Sequence, residues 1–374
     1  MKSKNQNGWR TVELGEVCEI IKGRKPKLKS VATSGDLPYL IAKVMRGIES
    51  PEYASVDDRN SVVVDESETI IICDGSNSGE IFTGFRGILS STMGKISKKT
   101  EIDDGYLRAF LTSTFEIFNG AKSGSAIPHL DKEAMYRIDI SLPPKDEQRQ
   151  IAGRLREQMA EVERARAAVQ AQLDATQTLV LALLRESLKT TGRRKWCIAE
   201  CLSEITQGIG ERWSEFPVLG ATRAGLAPAK EGVGKYPGRY KPVTPGTVFY
   251  NPMRILLGSI ALVSEDDKPG ITSPDYVVIR GIEGRLHSTW FYYWFRSPAG
   301  ADFIQSLTRG AVRERLLFNR LAKGEIEIPS WQAQLRVVEQ LQEIKNLRRS
   351  LETRLAEIEL LPATLLRSAF SQQN

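Results

Sequence analysis

LPPKDEQRQIAGRL at 142–155 and IPSWQAQLRVVEQL at 328–341 are two versions of one segment, and their reading decides the fold. A shift of 186 positions carries Leu142 onto Ile328, Pro143 onto Pro329, Gln148 onto Gln334, Ile151 onto Val337 and Leu155 onto Leu341. Farther on the shift becomes 182, where Leu183, Leu184 and Arg185 fall on Leu365, Leu366 and Arg367. A slip of four residues is about one helical turn, so an apolar face keeps its phase across it. Solenoid repeats run roughly 20–50 residues. The much longer period here means that one large unit occurs twice.

Periodicity makes both segments helical. Apolar or small residues at 151, 155, 159, 162, 165, 169, 173, 176, 180 and 183 recur at a mean spacing of about 3.5, that of a coiled coil. The second copy repeats the spacing with Val337, Leu341, Ile344, Arg348 (or Leu347), Leu351, Leu355, Ile358, Pro362 and Leu365. Pro143 and Pro329 mark the starts, after the strand-like IDISLP and IEIP. Residues 146–188 as one helix would span roughly 65 Å, and Pro362 is expected to kink its counterpart near the end. Each helix has a long apolar seam to bury. The economical solution is an antiparallel pair within the chain; the alternative is two independent helices, each packed elsewhere.

The flanking parts repeat more weakly. Val17, Glu19, Ile20 and Gly23 return 185 later as Leu202, Glu204, Ile205 and Gly208, and Pro38, Leu40 and Ala42 return 179 later as Pro217, Leu219 and Ala221. Trp9 and Trp196 open the two copies, and Gly124 matches Gly310. Short β-branched runs (SVVV 61–64, TIIIC 69–73, TVFY 247–250, YVVIR 276–280) read as strands, and 106–118 and 289–307 as helices. The chain is thus α+β: two mixed α/β globular parts, 1–141 and 191–327, alternating with two long helical segments, 142–190 and 328–374.

Composition points to a globular chain of 374 residues with net charge +6, and the uncharged, apolar runs are too short for a membrane span. A cytoplasmic location and no membrane partner are expected. The charge is uneven: 1–141 carries net −1 and 191–327 net +5. Cys18, Cys73, Cys197 and Cys201 are too few for a disulfide framework, and Cys197 and Cys201 without a nearby His read as buried thiols. The two histidines, His129 and His287, sit in no recognisable catalytic constellation, and His129 reads as a loop or surface residue. GSNSGE (75–80) lacks the lysine of a phosphate loop and reads as a turn; Asn251-Pro252-Met253 only superficially echoes a methyltransferase motif. No catalytic or metal residue is assigned.

Binding chemistry is present instead. IIKGRKPKLKS (20–30) supplies Lys22, Arg24, Lys25, Lys27 and Lys29 on a glycine- and proline-bearing loop, suited to phosphate contact with Arg available for guanine edges. Its counterpart supplies Gln207 and Arg212. Arg223, Lys230, Lys235, Arg239 and Lys241 interleave with Tyr236 and Tyr240, which fits nucleic acid better than a bare charge run does. The corresponding loops 120–130 and 308–318 add Lys122, Ser123 and Ser125 in one copy, Arg309 and Arg313 in the other. Arg46, Ser76 and Asn77 complete the DNA-contact candidates.

The ordered set of strings, over essentially the whole chain, resembles the specificity subunit of bacterial type I restriction-modification enzymes. IDISLPPKDEQRQIAGRL and IEIPSWQAQLRVVEQL resemble that family's long-helix openings. WRTVELGEVCEIIKGRKP and WCIAECLSEITQG resemble the openings of its two target-recognition domains, and GSAIPHLDKEAMYRIDISLPP the close of the first. The resemblance implies two target-recognition domains, each reading half of a split double-stranded DNA sequence. It implies antiparallel coiled-coil helices that set the gap and dock two methyltransferase subunits, with restriction subunits joining that core. It implies no catalysis and no cofactor in this chain; S-adenosylmethionine, ATP and Mg belong to partner subunits. The alternative is a protein-interaction scaffold without direct DNA contact.

Overall fold

The computed structural model describes residues 8–115, 129–308 and 315–371. The chain divides into two compact units, Met1–Ala168 with Leu355–Asn374, and Val169–Arg354.

The first unit runs β1 (Arg10–Glu13), α1 (Leu14–Val17), β2 (Cys18–Lys22), β3 (Asp36–Leu40), α2 (Ala42–Met45), β4 (Tyr53–Ser55), β5 (Val63–Val64), β6 (Ile70–Ile72), β7 (Ile81–Phe82), β8 (Gly87–Leu89), β9 (Met93–Lys98), α3 (Asp104–Ser113), α4 (Lys132–Tyr136) and β10 (Asp139–Leu142), then enters α5 (Lys145–Ser187). The second runs β11 (Arg194–Cys197), α6 (Ile198–Cys201), β12 (Leu202–Glu204), β13 (Leu219–Thr222), β14 (Gly225–Pro228), β15 (Lys241–Val243), β16 (Thr247–Tyr250), β17 (Ile260–Leu262), β18 (Gly270–Thr272), β19 (Val277–Gly281), α7 (Ser288–Phe295), α8 (Pro298–Thr308), α9 (Phe318–Leu321) and β20 (Glu325–Ile328), then enters α10 (Trp331–Ser371).

The two units have the same connectivity. A sheet of order β2-β9-β6-β7 in the first corresponds to β12-β19-β16-β17 in the second, and the β1·β10 ribbon to β11·β20. The sheet β4-β3-β8-β5 is matched by β13·β14 and β15·β18, joined by a parallel bridge from Val218 to Ile271. The sequence matches of Pro38 and Leu40 with Pro217 and Leu219 have a steric basis. A Cβ on Gly87 would lie 2.5 Å from the Pro38 carbonyl oxygen, and one on Gly270 would lie 2.8 Å from that of Pro217. Only glycine lets the parallel neighbours approach this closely.

Each unit also contains part of both long helices. In the first, Gln148 near the start of α5 accepts a hydrogen bond from the Asp103 backbone N–H (2.8 Å), while Phe370 at the end of α10 packs edge-on against Tyr106 and Phe110. In the second, Ser187 at the end of α5 accepts from Trp290 Nε1 (3.1 Å), and Gln334 near the start of α10 accepts from the His287 N–H (2.7 Å). Arg348 donates to Thr176, about three helical turns back along α5 from Ser187. Within each unit the helices therefore run antiparallel. Ile151 and Leu155 join Leu366 in one core, and Val180 and Leu184 join Val337, Leu341 and Ile344 in the other. Burying such a side chain contributes about 1.5–3 kcal/mol, so the seam carries much of each core. At the ambiguous seam position Arg348 faces the seam and Leu347 is exposed.

Some elements differ from expectation. The stretch 289–307 is two helices, because Ser297 caps a new start at Pro298, with its Oγ accepting from the Gly300 N–H. SVVV shortens to Val63–Val64 and TIIIC to Ile70–Ile72. The helix expected over 106–118 is α3, Asp104–Ser113; residues 116–118 lie outside the described ones. Pro362 lies inside α10, which runs on to Ser371. Among the cysteines Cys197 is half-buried rather than buried; burial pushes the Cys201 thiol up to about 12 and those of Cys18 and Cys73 up to about 11.

Candidate nucleic-acid interface

The loop from β6 to β7 gathers four of the sequence candidates. GSNSGE turns back on itself, with the Ser78 N–H bonded to the Gly75 carbonyl and that of Glu80 to Asn77. Lys22, at the end of β2, forms an ion pair with Asp74 (2.7 Å), and Arg46 pairs with Glu80 over the Phe82 ring. Asn77 Nδ2 also donates to Glu80, and Ser76 lies beside Asn77. His129 Nδ1 lies 2.7 Å from the other Asp74 oxygen while its side chain stays exposed. Burial alone would raise the Asp74 pKa, but hydrogen bonds from Lys22 and His129 outweigh it and hold the carboxyl below the ordinary range.

Arg24, Lys25 and Lys27 follow β2 as exposed side chains. Gly23 begins that loop because a Cβ there would lie 2.2 Å from the Ser90 carbonyl oxygen. The backbone of Lys27 is tied to Asp58 (3.1 Å). Lys29 is occupied differently: it pairs with Asp36 at 2.9 Å, and hydrogen bonds from Thr33 and Lys29 bring that carboxyl down to about 2. Lys29 thus holds the loop base.

In the second unit the repeated glycine does the same work. A Cβ on Gly208 would lie 2.4 Å from the Gly238 carbonyl oxygen, so the loop bearing Gln207 and Arg212 is drawn against the loop bearing Lys235 and Arg239. Gln207, Lys230 and Arg239 are exposed. Arg212 pairs with Glu215 (2.8 Å) and lies over Phe216, and Lys235 lies over Tyr236. Arg223 stands apart from this group, its carbonyl accepting from Arg296. Lys241 is spent on the Tyr276 carbonyl (2.7 Å). Lys122, Ser123, Ser125, Arg309 and Arg313 lie outside the described residues.

Sequence reading missed Asp74, His129, Met253 and Arg315 as one equivalent set. Leu130 N–H bonds to the Cys73 carbonyl and Leu316 N–H to that of Pro252, so the strand ends superimpose in register. At the next position His129 meets Asp74 in one unit and Arg315 meets Met253 Sδ (3.0 Å) in the other. The 186 shift that pairs Gly124 with Gly310 also pairs His129 with Arg315. The β16–β17 loop exposes Met253, Leu256 and Leu257 where the β6–β7 loop is polar. Among the described residues no group of three His, Cys, Asp or Glu is placed to hold a metal, and no helix is long and apolar enough to cross a membrane.

Residues 6–169 match the family model of the type I restriction modification DNA specificity domain. The match ends beside Ala168, where the contiguous part of the first unit ends. That part of the chain is similar to the specificity subunits of type I restriction-modification systems. The chain is 38% identical over 146 residues to the type I restriction enzyme MjaVIII specificity subunit of Methanocaldococcus jannaschii, covering 38% of this chain and 34% of that protein. It is 30% identical over 161 residues to the EcoDI specificity subunit of Escherichia coli, covering 42% and 33%. The chain therefore spans about a third of the length of the curated relatives it matches. Among solved structures, the S subunit of a type I system from M. genitalium shares the fold over 99% of both chains (TM-score 0.51, 14% identity). The HsdS subunit of Thermoanaerobacter tengcongensis does so over 98% of both (TM-score 0.53, 18%). A chain from a study of complex assembly and conformational transition of a type I system covers 98% of this one and 99% of itself (TM-score 0.66, 18%). The specificity-subunit fold thus extends over both units.

Proposed function

We propose that this chain is the non-catalytic DNA-specificity subunit of a type I restriction-modification complex, each globular part reading one half of a bipartite duplex target. The observation that carries this reading is one strand framework built twice with different chemistry on equivalent loops. Lys22, Asp74, Asn77 and His129 would meet hydrogen-bonding base edges; Met253, Arg254, Leu256 and Arg315 would offer apolar and cationic contacts instead. Exposed Lys and Arg on neighbouring loops would position the phosphates. Two unlike readers give an asymmetric target, and the length of the paired helices would set its gap.

Docking of methyltransferase and restriction subunits belongs to the same proposal. It is supported by exposed leucines on the long helices: Leu179, Leu335 and Leu347 in the second unit, Leu360 and Leu361 in the first. S-adenosylmethionine, ATP and Mg would enter with those partners.

The test is co-expression with a methyltransferase subunit encoded beside it, followed by sequencing of methylated adenine in host DNA. A single bipartite motif with an undefined gap is expected. A stable complex that adds no methylation would sink the reading in favour of a scaffold.

A further inference from the structure

Each unit has a cavity in the same place, between the domain helix, the edge hairpin of the four-stranded sheet and the two long helices. In the first unit it is about 560 Å³; Ala109, Leu155, Met159, Pro362 and Leu366 give it an apolar floor, and Arg108, Arg149 and Arg156 line it together with Asp103 and Asp104. In the second it is about 590 Å³ and its wall is cationic, with Lys345, Arg348, Arg349 and Arg223 beside Tyr292 and Tyr293. The 186 shift that aligns the helix openings places Lys345 where the first unit has Met159.

The fold does not require a cation there, since Met159 fills the equivalent place by packing against the core. Lys345 Nζ is nonetheless enclosed, and among the described residues no acceptor reaches it. An enclosed ammonium without a partner is expensive, and a bound anion would relieve that cost. The acids that line the cavity are otherwise engaged: Glu352 pairs with Arg348 (3.5 Å), and Asp267 accepts from the Ser264 N–H (2.8 Å). Arg296 is structural, spending its guanidinium on the carbonyls of Gly258, Ile260 and Arg223. Arg349, whose pair with Asp266 is long at 3.9 Å, remains half-exposed at the cavity. The volume is that of a small-molecule site rather than of a single ion.

We infer that the cavity of the second unit binds a small phosphorylated molecule, its phosphate received by Lys345 with Arg348 and Arg349 and its remainder lying against Tyr292 and Tyr293. This does not depend on DNA reading by the loops.

The test is calorimetric titration of the full chain with inorganic pyrophosphate at matched ionic strength, for the wild type, Lys345→Met and Arg349→Ala. Lys345→Met installs the residue of the first unit and removes an enclosed charge, so its melting temperature should hold or rise. The expected result is one pyrophosphate site in the wild type, at least tenfold weaker in Lys345→Met and weakened less in Arg349→Ala. Equal affinity in wild type and Lys345→Met, or no binding by the wild type, overturns the inference. Stoichiometric displacement of pyrophosphate by a DNA duplex would assign the site to backbone phosphate and overturn it as well.

Discussion

The two units share a frame and differ in what they hang on it. At the same step after the central strand, the first unit sets a hydrogen bond, Asp74 with His129, and the second a sulfur contact, Met253 with Arg315. Deeper in, Tyr106 donates to the Ser141 carbonyl where Trp290 donates to Ser187. At the start of the long helices the units converge again: Gln148 and Gln334 each clamp the residue that caps the domain helix, Asp103 and His287. Residues that join domain to helix are kept alike; residues at the loop ends are free to diverge. The proposed bipartite reading would use that division, because one frame must then present two different faces.

The largest effect should come from breaking what is alike. Gln334 is fully buried and serves three backbone groups, the His287 N–H and the carbonyls of Arg285 and Pro329. Gln148 serves two, the Asp103 N–H and the Pro143 carbonyl. Gln334→Ala should cost about 3 kcal/mol and Gln148→Ala about 2, from the unpaired groups left behind. Urea denaturation of the two variants measures this; losses under about 1 kcal/mol in both would mean that water replaces the clamp and the likeness is incidental.

A smaller effect is expected where the units differ in charge. Replacing Lys22, Arg24 and Lys25 together by Ala should weaken duplex binding of the assembled complex about tenfold and lower its salt slope by about one for each phosphate no longer neutralised. The parallel triple variant at Lys230, Lys235 and Arg239 tests whether the second unit uses its own loop likewise. Unchanged affinity and slope in either variant would remove that loop from the interface.

The smallest effect sharpens the comparison through pH. The Asp74 carboxyl is held below its ordinary range, so its contribution is complete above the ordinary carboxylate pKa of about 3.9 and is lost as pH falls through the lowered value. Stability of the wild type should therefore fall more steeply below about pH 4 than that of Asp74→Asn. Met253 at the equivalent place does not titrate. Identical acid limbs for wild type and Asp74→Asn would show that the pair with Lys22 and His129 contributes nothing.

The amino-acid sequence determined the duplication, the two long helices and the side each turns inward. Those follow from local periodicity and from matches at constant shift, as the burial of Ile151, Leu155, Val337 and Leu341 illustrates. Even the repeated glycines, Gly23 with Gly208, are legible as a pair in the sequence, although their close backbone neighbours are not. Only the tertiary structure decided which polar groups meet. Lys22 lies far along the chain from Asp74, and Asp74 from His129, and no spacing rule links residues on different strands. It likewise decided that Lys29 holds Asp36 while Arg24 stays exposed, since both read alike in a basic run. The enclosed Lys345 was hidden for the opposite reason. On a helix it continues the polar pattern, and only the packing of Tyr293 and its neighbours against that face turns a surface lysine into the wall of a cavity.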